Sequence, residues 1–298
     1  MKILRLLSLL ILVSVLAACG DGIPNTGGAV RVGSKNLTEN KLVAEMYAQV
    51  LADNGIAVER KFDLAGTQGA HNALVNREID LYPEYTGTSY LSIMEMKDGE
   101  KDPGLVREKV RKYYERRWKI TWLEPAPLNS TTAIAVTAEA ANKYNLRTLS
   151  DLVRAAPNLR FAAENNFQQR PDGLPGLVST YGNIDFQSMN AYDPGNLFQA
   201  LQNGEADVVA ANSTDGQIRS GNLILLEDDR GLWGENHITP VIWQEVLDRY
   251  PQLDDVLNEL SAKLTTEAMS ELNWKVDGEN QNYEQVATEF LRQNGLLR

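Results

Sequence analysis

Short apolar runs alternate along the chain with longer stretches whose apolar residues recur at helical spacing. Val30-Arg-Val-Gly33 reads as an opening strand, followed by a polar loop over Ser34–Thr38. Leu42, Met46, Ala48 and Leu51 form a helical stripe, so a helix is expected over Glu39–Asn54, capped by Thr38 or Asn36 and stopped by Asn54-Gly55. A strand over Ala57–Leu64, a turn at Ala65–Gly69, a helix through Leu74 and a buried strand at Ile79–Leu81 follow. Gly104–Arg117 reads as an exposed charged helix, closed by a strand over Trp118–Leu123. This βαβαβ order predicts a mostly parallel sheet flanked by helices, an α/β fold.

Pro125-Ala-Pro127 reads as a hinge into a second lobe. Strands are expected there over Thr131–Thr137, Leu159–Ala163, Ala206–Ala211 and Asn222–Leu226. A helix start is expected at Thr148 and a helix over Pro194–Asn203. The chain is then expected to return to the first lobe through Glu227–Asn236, with a strand at Ile238–Trp243. Helices over Gln244–Tyr250, Asp254–Leu264, Thr266–Leu272 and Tyr283–Gln293 close the molecule, with Thr265 and Asn282 as N-caps. The expected organisation is therefore 29–127 for the first part of lobe I, 128–228 for lobe II, and 229–298 for the return segment and closing helices.

One stretch organises the rest. Asp80-Leu-Tyr-Pro-Glu-Tyr-Thr-Gly-Thr88 places two tyrosines, a carboxylate and two threonine hydroxyls at the end of a strand, with Pro83 and Gly87 breaking the chain. Open α/β sheets bind ligands at the carboxyl ends of their strands; the competing reading is half-buried core. A second copy favours the first reading. Ala73-Leu-Val-Asn-Arg-Glu-Ile-Asp80 and Ala200-Leu-Gln-Asn-Gly-Glu-Ala-Asp207 share Ala, Leu, Asn, Glu and Asp at the same offsets, and each runs into a hydroxyl-bearing turn. Their separation of 127 residues is too long for a solenoid. It fits two similar lobes, each presenting a strand-end loop to a shared cleft.

The first residues follow another logic. Lys2 and Arg5 precede an apolar run that ends at Leu16-Ala-Ala-Cys19, which reads as a secretory signal over 1–18 with a lipobox-type cleavage site. The run falls short of the ~20 residues that span a bilayer. Cys19 is the one cysteine of 298 residues, so disulfides within the chain are excluded, a cysteine-based metal site or catalytic pair is not expected, and lipidation is its expected fate. Residues 19–28 then form a flexible tether. Loss of Lys2 and Arg5 moves the formal charge from −11 to −13. So acidic a surface argues against nucleic acid and against electrostatic attachment to anionic lipid, leaving the lipid anchor as the expected membrane contact.

Catalytic chemistry is not visible. His71 and His237 are the two histidines, and neither has a companion at metal-ligand spacing. His71 is expected to pack rather than ligate. No nucleophile elbow, Walker loop or dinucleotide fingerprint occurs. Binding is favoured over catalysis, with no cofactor.

Val32-Gly-Ser-Lys-Asn-Leu-Thr-Glu39, Gly66-Thr67 with Ala70-His71, the Asp80–Thr88 stretch, Arg170-Pro-Asp-Gly173, Ser213-Thr-Asp-Gly216, Leu226-Glu-Asp-Asp229 and Leu272-Asn273 with Val276 stand in this order. Together they resemble the substrate-binding proteins of osmoprotectant ABC importers, the glycine betaine/carnitine/choline group, over nearly the whole mature chain. The resemblance implies a two-lobed periplasmic-binding-protein fold of type II (venus-flytrap), with two crossovers. It also implies a monomer on the extracytoplasmic side of a bacterial membrane, delivering a small amine or zwitterion to a permease driven by a cytoplasmic ATPase. A trimethylammonium group has no N–H and is held by aromatic faces through cation–π attraction. The implied ligand residues are Asn36, Thr67, Tyr82, Tyr85, Thr86, Thr132, Phe198, Thr214, Asp215, Trp233 and Asn236. Thr132 and Asn236 stand where the family pattern has cage tyrosines, and Phe198 stands where it has another. Trp233 is placed to compensate, or the pocket is retuned to a polar amine or amino acid. A ligand sensor of the same fold is the alternative from another class.

Overall fold

The computed structural model describes residues 28–97, 99–164, 167–192 and 196–297. The expected signal peptide, Cys19, the tether up to residue 27 and the expected helix start at Pro194 lie outside the described residues. No helix among the described residues is long and apolar enough to cross a membrane.

Among the described residues, ten strands form two five-stranded sheets. The first contains β1 (Val30–Lys35), β2 (Val58–Leu64), β3 (Leu81–Tyr85), β4 (Ile120–Trp122) and β10 (Ile238–Trp243), in the order β2-β1-β3-β10-β4. The second contains β5 (Thr132–Thr137), β6 (Arg160–Glu164), β7 (Ser188–Tyr192), β8 (Val208–Asn212) and β9 (Leu223–Leu225), in the order β7-β6-β8-β5-β9. Each sheet is built alike. Three parallel strands are followed by one antiparallel strand and a short edge strand. The antiparallel member is the returning strand β10 in lobe I and the entering strand β5 in lobe II; the other four strands of each sheet share one direction, so each sheet is mostly parallel, as expected for lobe I. β7 was not anticipated from the sequence.

The repeat detected in the sequence is a repeat of structure. Asp80 accepts from Arg31 N at 2.8 Å, Nε at 2.9 Å and Nη2 at 2.6 Å. Asp207 accepts from Arg160 N at 2.9 Å, Nε at 2.9 Å and Nη2 at 2.8 Å. Each arginine also donates Nη1 to the carbonyl of the preceding turn, Arg77 or Gly204. Both turn residues have positive φ, 62° and 68°. The shared aspartates are therefore clamps at the ends of the strands away from the cleft.

The expected strand at Ile79–Leu81 runs on instead through Pro83 to Tyr85. Pro83 is tolerated because it pairs opposite Pro240 of β10, so neither missing N–H removes a bond between the two strands. Pro83 O accepts from Asn40 Nδ2 at 2.7 Å. The Thr38–Asp53 helix buries Leu42, Val43, Met46, Tyr47, Val50 and Leu51 against the lobe I core. Its N-cap is Leu37, without a side-chain cap bond; Thr38 is already helical and bonds Asp277 Oδ1 at 2.7 Å. Thr265 and Asn282 do cap, accepting from Ala268 N at 3.2 Å and Gln285 N at 3.1 Å. His71 is buried edge-on against Tyr114 and Trp118, with Nδ1 3.1 Å from Tyr114 Oη. Burial, with Arg117 nearby, pushes its imidazole down to about 4.

Candidate functional site

Two crossovers join the lobes and are bonded to each other. Asn129 and His237 form an antiparallel bridge, and Ser130 N donates to Asn236 O at 3.0 Å. His237 Nδ1 lies 3.1 and 2.9 Å from the carbonyls of Ala126 and Leu128. Asn236 spends its whole side chain here. Its Oδ1 accepts from Thr88 N at 3.1 Å, and its Nδ2 donates to Thr88 Oγ1 at 3.3 Å and Ser130 O at 2.9 Å. Asn236 thus ties both crossovers to the strand-end turn of lobe I. Thr86 is part of the same joint, buried, with N bonded to His237 O at 3.0 Å and Oγ1 accepting from His237 N at 3.1 Å.

A third contact lies beside the crossovers. The Thr266–Asp277 helix packs in the lobe I core through Met269 and Leu272, and it meets the short Gly216–Ser220 helix of lobe II. Gly216 is required there, since a Cβ would stand 2.5–2.6 Å from Trp274 N, Cα and Cβ. Asn273 Nδ2 donates to Thr214 O at 2.9 Å, which fastens lobe II's turn to lobe I. Thr214 is buried, with its hydroxyl 3.3 Å from Ser130 Oγ.

The ring of Tyr85 stands at this junction. Its hydroxyl donates to Glu39 Oε1 at 2.7 Å, and Glu39 Oε2 accepts from Asn273 Nδ2 at 3.4 Å. Burial and Glu39 hold the Tyr85 phenol protonated far above its ordinary range. On the other side, Lys35 Nζ lies 5.0 Å from the ring centroid. Lys35 and Glu84 are 2% and 0% exposed and form an ion pair at 2.5 Å. Glu84 also accepts from Tyr85 N at 2.7 Å and Tyr82 Oη at 3.1 Å, so three groups converge on it and fix the backbone that carries the Tyr85 ring.

The remaining expected residues fall in three places. Thr67 accepts from Lys35 Nζ at 3.0 Å, and the exposed Asn36 accepts from Gly66 N at 3.3 Å, both at the rim of lobe I. Thr132 and Trp233 meet through a lobe II cluster: Arg170 Nη2 is 3.4 Å from Thr132 Oγ1 and 2.5 Å from Asp172 Oδ2, and Asp172 O accepts from Trp233 Nε1 at 2.8 Å. The Arg170 guanidinium holds the Asp172 carboxyl below its ordinary range. Asp215 accepts from Asn212 N at 2.8 Å; burial, with Glu39 nearby, pushes its carboxyl up to about 6.

The known proteins with this architecture fix its family. The model of the substrate binding domain of ABC-type glycine betaine transport system matches residues 28–293. The chain belongs to that family. Carnitine transport binding protein OpuCC of Listeria monocytogenes is 31% identical over 303 residues, covering 99% of this chain and 98% of that one. The ergothioneine transport permease/ergothioneine binding protein EgtU of Helicobacter pylori is 30% identical over 266 residues, 89% of this chain and 47% of that protein. A crystal structure of a glycine betaine/carnitine/choline ABC transporter protein superposes with a TM-score of 0.85 at 27% identity, covering 90% of this chain and 99% of that one. The chain is thus a substrate-binding protein of the ABC importer class, with the type II two-lobed fold.

Within this binding protein, Tyr85, Thr214 and Asp215 come together at the junction, and Thr132 and Trp233 form a second group. Four expected ligand residues are placed otherwise. Tyr82 is fully buried and bonded to Glu84, because it shares a strand face with that carboxylate. Thr86 and Asn236 have their polar atoms occupied in the crossover joint. Phe198 is half-buried against the lobe II cluster of Leu197, Ala200 and Ile218. Glu39, Asn273, Ser130 and Arg170 were not picked out as site residues. Glu39, Arg170 and Asn273 stand inside the ordered motifs, so their motif membership was the available signal.

Proposed function

We propose that this chain captures a small quaternary-ammonium or zwitterionic solute, of the glycine betaine, choline or carnitine kind, and delivers it to an ABC permease with a cytoplasmic ATPase. Cys19 carries the lipid that holds it on the extracytoplasmic face, and it acts as a monomer without catalysis. The observation that carries this reading is Tyr85, a ring fixed by Glu84 and Glu39 at the joint where Thr214 and Asn273 fasten one lobe to the other. A ring at that place offers a cation its face, worth roughly 0.5–2 kcal/mol. Closure of the lobes over the ligand creates the surface that a permease reads.

The test is a thermal-shift screen against betaine, choline, carnitine, ergothioneine and amino acids. A ligand at ~100 times its dissociation constant adds about 2.7 kcal/mol. Tyr85→Ala is expected to abolish the shift. A ligand whose shift survives that substitution, or turnover of any ligand, refutes the reading.

A further inference from the structure

We propose that His237 and Glu235 form a proton-operated catch at the hinge, which pins the two crossovers together while it holds its proton and frees Glu235 when the proton leaves. The inference concerns how the lobes move and is independent of the solute that the cleft takes.

The acceptors around the imidazole point there. Nδ1 lies 3.1 Å from Ala126 O and 2.9 Å from Leu128 O, both on the first crossover. Nε2 lies 2.7 Å from Glu235 Oε2, on the second. Carbonyl oxygens only accept, so Nδ1 must donate. Nε2 and Oε2 then need one further proton between them, since without it two lone pairs face each other. A neutral imidazole has one N–H and meets one side; the imidazolium meets both. Turning the ring over would set carbon against the same three acceptors, so its orientation is fixed.

Position gives this proton its leverage. Glu235 and His237 flank Asn236, whose side chain bonds Thr88 of lobe I and Ser130 of the first crossover. The His237 backbone is held at both ends, its N and O bonded to Thr86. The Glu235 side chain is 52% exposed against 19% for His237, so the carboxylate is the partner that can move. Loss of the proton therefore displaces Glu235 and loosens one flank of Asn236. Two-lobed proteins close by bending at a few such residues.

Other ionisable groups on the packed elements are engaged or turned to water. On the first crossover Glu124 pairs with Arg107. On β3, Glu84 pairs with Lys35. Lys263, at the end of the Gln252–Lys263 helix behind Leu128, is exposed. The turn Thr86–Thr88 and β10 carry no other ionisable side chain. Among the described residues, Glu235 alone stands within ion-pair distance of the ring.

Long-range proton–nitrogen NMR of the chain reads the ring directly. His71, pushed down to about 4, is neutral above that value, so the other histidine signal reports His237. Both of its nitrogens are expected to be protonated at about pH 5, and Nε2 bare at about pH 8.5. Amide hydrogen exchange reads the hinge. Thr88, Ser130 and Asn236 donate their N–H groups within the joint. Their protection factors, relative to a core amide, are expected to fall about two- to fivefold from the lower to the higher pH, the worth of an exposed ion pair. Asp215, pushed up to about 6 by burial, titrates over the same interval, and two substitutions separate it. Glu235→Gln keeps the catch closed at both pH values, because its amide donates to a bare Nε2 and accepts from a protonated one. Its protection should stay at the parent's low-pH level. His237→Asn keeps a donor for the two carbonyls and has no proton to lose, so it should stay at the parent's high-pH level. A bare Nε2 at about pH 5 overturns the catch, as does parent protection that does not change with pH. An equal fall in the parent and both variants overturns it as well, and assigns the fall to Asp215.

Discussion

At the end of β3, lobe I presents Glu84 and Tyr85; at the matching end of β8, 127 residues on, lobe II presents Ala211 and Asn212. The frames beneath are alike, each with an arginine–aspartate clamp and a positive-φ turn at the far end of the strand. Above that frame, lobe I builds a buried ion pair, Lys35–Glu84, whose carboxylate also fixes the backbone of Tyr85. Lobe II has small side chains there and supplies its turn, Ser213–Asp215, through hydroxyls, a carboxylate and a backbone carbonyl. One lobe is thus a rigid aromatic anchor and the other a polar lid held to it by Asn273.

The largest expected effect comes from making lobe I resemble lobe II at one position. Glu84→Ala copies Ala211 and leaves Lys35 buried without its partner. It should cost about 3–5 kcal/mol, read by urea denaturation. Lys35→Met with Glu84→Leu should recover most of that loss, because the charge is removed with its partner. A single substitution costing less than the double would contradict the anchor role of the pair. Next is Gly216→Ala, whose methyl meets the Trp274 backbone at 2.5 Å. Overpacking costs about 1–3 kcal/mol. Because Gly216 and Trp274 belong to different lobes, small-angle scattering should show a more open molecule; an unchanged envelope would place the strain within one lobe.

The clamps test the shared frame. Asp80→Asn and Asp207→Asn should each cost about 1.5–3 kcal/mol in urea denaturation, the range of hydrogen bonds to a charged group, and by similar amounts. The Asp207 carboxyl is held below its ordinary range, chiefly by the Arg160 side chain. Its contribution is therefore present above the ordinary carboxylate range and lost as pH falls through the lowered value, so Asp207→Asn should flatten the acid limb of the stability curve. Clamps of very different worth would break the pseudo-symmetry.

The clamp explains why the repeat was legible. Ala, Leu, Asn, Glu and Asp recur because the same helix end, turn and strand start are specified locally, and local chemistry is written in contiguous residues. Thr265 and Asn282 were legible as caps for the same reason. What escaped depends on residues distant in sequence. Pro83 read as a break, since only its pairing with Pro240 makes it tolerable in a strand. Asn236 read as a pocket residue, since its partners Thr88 and Ser130 lie 148 and 106 residues away. β7 runs in parallel at the edge of its sheet and takes its register from β6 alone. Tyr85 and its neighbour Glu84 were legible as a ring and a carboxylate at a strand end, whereas Glu39, which holds the Tyr85 hydroxyl, reaches it only when the Thr38–Asp53 helix docks on β3.

The smallest effect separates a local reading from the folded one. In lobe II, Thr148 Oγ1 accepts from Asp151 N at 3.1 Å while Asp151 Oδ2 accepts from Thr148 N at 3.0 Å, a complete capping box. Thr148→Ala should cost about 1 kcal/mol. Thr38 in lobe I occupies what reads as the same kind of position but makes no cap; its hydroxyl bonds Asp277 at the end of another helix. That exposed bond is worth about 0.5 kcal/mol. Thr38→Ala should therefore lower the melting temperature by roughly half as much as Thr148→Ala, a difference that differential scanning calorimetry resolves. Equal losses would mean that Thr38 caps in solution. Its hydroxyl would then be free of Asp277, and the Thr266–Asp277 helix would be less firmly seated over Glu39 and Asn273.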